Sequence, residues 1–110
     1  MVSCCAPSVT GGGNVPGELR VYFVCGDPLN LSFRNCDGWP ADLVATLELS
    51  HPWGWSLSVV GNVNGEWLSF HVPAEQARIP RDSSARIRFA MEGVEPYTWR
   101  AGCVYHQGGC

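Results

Sequence analysis

The sequence contains no lysine, and its seven cations are all arginine. Charged residues make up 15% of the 110 positions and the net charge is −3. That balance excludes a generally basic nucleic-acid binder, which needs a surplus of cations to displace phosphate counterions. Long apolar runs are also missing, and no window approaches the ~18 consecutive apolar residues of a membrane span. The stretch from Met1 to Gly13 has neither the basic start nor the apolar core of a signal peptide. The expectation is a chain made in the cytoplasm without a signal peptide and with no membrane span. No GxSxG elbow, HExxH pair, phosphate loop or GxGxxG turn occurs, so no catalytic or cofactor-binding residue is assigned and no enzyme is expected.

What the sequence does hold is apolar and rich in turn residues. Hydrophobic residues reach 45%, with 13 glycines and 8 prolines, which excludes a disordered chain of low hydrophobicity and high charge. Six cysteines stand at Cys4, Cys5, Cys25, Cys36, Cys103 and Cys110. Six allow fifteen full pairings, and the sequence leaves all of them open. Neither CxxC nor CxxxxC spacing occurs, so no metal site is expected. The expected roles are small buried apolar residues for some, and free or cross-linked thiols outside a reducing cytoplasm for those near the termini. His51, His71 and His106 are far apart, and solvated or structural roles are expected for each. Asp27, Asp37, Asp42 and Asp82 lie in or beside turn-forming stretches, where Asp bonds its own backbone.

Alternation of period two dominates from Leu19 onward, and it marks strands with one apolar face. Leu19, Val21 and Phe23 alternate, Gly26-Asp27-Pro28 turns, and Leu29, Leu31 and Phe33 alternate again, so the two runs read as a hairpin. Leu43, Ala45, Leu47 and Leu49 share a face until His51-Pro52 breaks the ladder. Trp53, Trp55, Leu57 and Val59 form the next face; Gly61 to Gly65 reads as a connection, and Leu68, Phe70 and Val72 follow. Pro73 to Ile79 is the one helical piece, one or two turns long and stopped by Pro80. Ala85, Ile87, Phe89 and Met91 make one more face, and Tyr97, Trp99, Ala101 and Cys103 the last.

Seven short strands, with no helix long enough for a parallel crossover, predict an all-β fold. The architecture expected is an antiparallel β-sandwich with one short helical turn. Residues 1–16 are expected to form an extended arm, 17–106 the sandwich and 107–110 a tail.

Five tryptophans are many for this length. Trp55 and Trp99 fall on the apolar faces and are expected in the core, whereas Trp39 lies in a loop and Trp67 is out of phase with Leu68, Phe70 and Val72. Trp39 and Trp67 are therefore the candidate interface residues, since tryptophan offers a large rigid face and a donor edge. Arg86 and Arg88, with Arg100 on a nearby strand, form at most a small basic stripe on a solvated face.

The order of these pieces resembles the small LtfC-like β-sandwich proteins of actinobacterial tailed phages. The matching pieces are Val24-Cys25-Gly26-Asp27-Pro28-Leu29, then Trp39-Pro40-Ala41 leading into Ala45-Thr46-Leu47. Trp67-Leu68-Ser69-Phe70 with the short helix-like piece from Pro73 to Ile79, and the close Glu95-Pro96-Tyr97-Thr98-Trp99-Arg100-Ala101-Gly102, complete the set. The resemblance implies a β-sandwich located in the virion, in the tail rather than the head, that contacts other virion proteins and copies of itself. It implies no catalytic residues and no cofactor. A minor tail or tail-tip component is the leading expectation. The alternatives are a capsid decoration protein, or a host-adsorption module binding a surface glycan through exposed tryptophans.

Overall fold

The computed structural model describes residues 17–107. The expected arm, 1–16, and tail residues 108–110 lie outside the described residues, and Cys4, Cys5 and Cys110 with them. Eight strands follow one another: β1 (Gly17–Phe23), β2 (Leu29–Arg34), β3 (Val44–Ser50), β4 (Ser56–Val60), β5 (Asn62–Asn64), β6 (Trp67–Val72), β7 (Ser84–Met91) and β8 (Val94–His106). They form a five-stranded sheet, β1-β8-β7-β3-β4, and a three-stranded sheet, β2-β6-β5. Every pairing is antiparallel except β1 with β8. The fold is thus the expected all-β sandwich, and its connectivity is that of an immunoglobulin-type Greek key with the first strand laid beside the last.

Two faces of alternating residues close on each other, as the period-two pattern requires. Leu19, Val21 and Phe23 of β1, Ala45, Leu47 and Leu49 of β3, and Ala85, Ile87 and Phe89 of β7 meet Leu68, Phe70 and Val72 of β6 in one core. Each fully buried Leu, Ile or Phe contributes about 1.5–3 kcal/mol relative to exposure. The connection between β6 and β7 plugs one end with Ala77 and Ile79. Its Pro73 to Ile79 piece is one turn, with the Gln76 and Ala77 amides both donating to the Pro73 carbonyl at 2.9 Å.

Four expectations need correcting. The runs around Leu19 to Phe23 and Leu29 to Phe33 do not form a hairpin: β1 pairs with β8 and β2 with β6, in different sheets. Gly26-Asp27-Pro28 turns the chain, but across the sandwich, and period-two patterning says nothing about partners. Second, Asn62–Asn64 pairs with β6 as an eighth strand, where its amide side chains read as a connection. Third, Trp53 does not share the face of Trp55, because it precedes β4 and stands at the tip of the loop.

The last correction lies in β8. Ile87 pairs with Arg100 but Arg88 with Thr98, so Trp99 is an extra residue, and a second irregularity follows between Phe89 and Met91 around Glu95-Pro96. Pro96 has no N–H for a ladder, and such bulges are where a strand tolerates proline. The bulge shifts the alternation by one. Beyond Trp99, Gly102 and Val104 turn inward, while Cys103 is exposed on the outer face. Gly102 is needed there for space: a Cβ at this position would collide with the Leu19 carbonyl of the neighbouring strand.

Candidate binding surfaces

Trp39 is half-buried and packs against the core. The loop that carries it is tied down at several points. Asn35 N and Trp39 Nε1 both donate to the Glu66 carbonyl, at 2.8 and 3.0 Å, and Trp39 N donates to the Gly65 carbonyl at 3.1 Å. Its ring meets Phe89 and Trp99 edge-on, at 5.7 and 5.5 Å between centroids. An indole whose donor is spent internally and whose ring is packed edge-on against two core aromatics serves the sandwich as a lid.

Arg100 extends that aromatic group. The bulge turns it to the side of Ile87, and its guanidinium lies 4.3 Å from the Trp99 ring centre and 5.5 Å from that of Phe33. Burial lowers its pKa, and among the described residues no carboxylate pairs with it. Arg100 therefore does not join Arg86 and Arg88 in the expected stripe. Arg86 is bonded to Glu48 on the outer face, Arg88 sits opposite Thr98, and Arg100 faces inward.

Trp67 is 48% exposed on the outer face of the three-stranded sheet. Arg34 lies over its ring at 5.9 Å and is itself held by Glu66 at 3.0 Å. The register places Asn64 on the other side of Trp67, Ser32 and Asn62 beside Ser69, and Asn30 beside His71. His71 Nδ1 is hydrogen-bonded to Asn30 Oδ1 at 2.6 Å.

Trp53, which the alternating pattern assigns to an apolar face, is 92% exposed, the most of any large hydrophobic side chain among the described residues. It crowns the loop between β3 and β4. His51 N donates to the Trp55 carbonyl at 2.8 Å and Gly54 N to the His51 carbonyl at 2.9 Å, with Gly54 at φ +103°. His51 Nδ1 accepts from Trp53 N at 3.2 Å, and the two rings meet at 5.0 Å. The remaining histidine, His106, donates from Nε2 to the Ile79 carbonyl at 2.7 Å. The sequence signal that could have singled out Trp53 is Pro52 before it and Gly54 after it, a loop tip rather than a strand.

Tyr22 and Tyr105 stack across β1 and β8 at 5.6 Å, near exposed Val24. Cys25 and Cys36 are disulfide-bonded, whereas Cys103 carries an exposed free thiol. Among the described residues no group of His, Cys, Asp and Glu is placed to hold a metal ion, and no helix is long and apolar enough to cross a membrane. No family model matches the chain, and no curated protein matches it.

Proposed function

We propose that this chain is a structural component of a bacteriophage virion, a minor tail or tail-tip protein that works by protein–protein assembly and carries no catalytic site. The observation that carries this reading is Trp53, a large rigid aromatic held almost fully in solvent by a closed loop. Such a side chain contributes nothing to the fold's own core, and desolvated tryptophans are where binding energy concentrates in protein interfaces. The outward-facing Tyr22–Tyr105 pair adds a second apolar contact on the same molecule. The β-sandwich agrees with the class implied by the resemblance to LtfC-like phage proteins, and that resemblance favours the tail over the head. Partners are other virion proteins and further copies of the chain.

The test is incorporation. Particles assembled with Trp53→Ala should contain less of the protein, while the purified variant unfolds within about 0.5 kcal/mol of wild type, as for exposed positions. Incorporation at the wild-type level overturns Trp53 as the anchor, and absence of the native protein from purified particles overturns the virion assignment.

A further inference from the structure

The outer face of the three-stranded sheet has a composition that stability does not explain. Asparagine is among the residues least suited to strands, yet three occupy it: Asn30, Asn62 and Asn64. Asn30 is engaged by His71. Asn62 and Asn64 are exposed, and among the described residues neither side chain forms a hydrogen bond. Residues that break a local rule without structural compensation mark functional positions. The five-stranded sheet, in contrast, presents Ser50, Ser84 and the Arg86–Glu48 pair on its outer side, with no asparagine in any of its strands.

The chemistry of the face narrows the ligand. Its amides, hydroxyls and imidazole offer donors and acceptors side by side, and Trp67 supplies the one apolar plane. Among the described residues the one arginine on this face, Arg34, is neutralised by Glu66 at 3.0 Å. An acidic polymer would need unpaired cations there, and a protein partner would need a desolvated apolar centre larger than one ring. Rows repeat every second residue, about 6.8 Å apart along β6, so the surface is a strip three strands wide. We infer that this face, with Trp67 as stacking plane and Asn62 and Asn64 as hydrogen-bonding groups, binds an uncharged oligosaccharide. The activity is distinct from the assembly role, which rests on Trp53.

Calorimetric titration of the full chain with neutral gluco-, manno-, galacto- and arabino-oligosaccharides, and with hyaluronan fragments as an acidic comparison, tests it. Saturable binding of a neutral sugar is expected. Trp67→Ala and the double variant Asn62→Ala/Asn64→Ala should each weaken Kd about tenfold or more, while Trp53→Ala binds as wild type. The double variant is at exposed sites and keeps the test independent of any folding loss at Trp67. The inference is overturned if no neutral sugar binds, if only the acidic polymer binds, if affinity survives both sets of substitutions, or if a virion protein covers this face in the particle. Failure here leaves the incorporation result with Trp53→Ala untouched, so the two readings fail separately.

Discussion

Trp99 lies flat on Phe89, ring centroids 4.7 Å apart and planes 16° from parallel, although Phe89 pairs with Tyr97 in the β7–β8 ladder. The stacking is a product of the bulge: an extra residue has no partner to face, so its side chain is free to lean along the neighbouring strand. The Arg100 guanidinium lies over the Trp99 ring, 4.3 Å from its centre. Three consecutive layers, Phe89, Trp99 and Arg100, thereby seal the flank of the core next to Phe33.

Trp99→Ala should remove the middle of this stack. The indole is half-buried, so the loss should fall somewhat below that of a fully buried aromatic, about 2–4 kcal/mol. Urea denaturation followed by far-UV dichroism measures it, and a loss under about 0.5 kcal/mol, as at an exposed site, contradicts the stack.

At Trp39 the hydrogen bond can be separated from the ring. Trp39→Phe keeps an aromatic edge against Phe89 and Trp99 but leaves the Glu66 carbonyl with Asn35 alone. The expected cost is about 1 kcal/mol for the bond, with a further contribution from the smaller ring. Trp39→Ala should cost clearly more, and equal losses in the two variants would show that the indole N–H carries the whole effect.

Gly102→Ala should be among the most damaging single-methyl substitutions in the chain. The new Cβ would meet the Leu19 backbone, which cannot rotate away as a side chain would. Overpacking of this kind costs about 1–3 kcal/mol, and displacement of β1 should separate Tyr22 from Tyr105. Hydrogen exchange of the β1 amides reads this out: exchange should quicken over Gly17–Phe23 and stay slow in β6.

The cysteines should divide by reactivity. Alkylation of the native, unreduced protein should label Cys103, whose thiol is free and exposed. Peptides bearing Cys25 and Cys36 should label only after reduction, since both are disulfide-bonded. Peptide mass mapping separates the two cases, and native labelling at Cys25 would contradict its bonding.

Local pattern was enough for the strands and for most of the core. Leu43, Ala45, Leu47 and Leu49, or Leu68, Phe70 and Val72, can be placed inside from alternation alone, because a strand presents every second side chain to one face. Trp67 was legible as an outward residue for the same reason. Partnership was not legible. β1 and β2 are neighbours in sequence and lie in opposite sheets, since hydrogen bonds between strands are formed by backbone that is alike in every residue.

The orientation of β8 was equally out of reach, because one unpaired residue at Trp99 reverses every side chain beyond it. That reversal exposes Cys103, buries Val104 and turns Arg100 inward. Composition and periodicity determined that this chain is an all-β sandwich with more tryptophan than its core requires. Only tertiary structure decided which tryptophans are left in solvent, because exposure depends on what the opposite sheet and the connecting loops cover, and no local pattern records that.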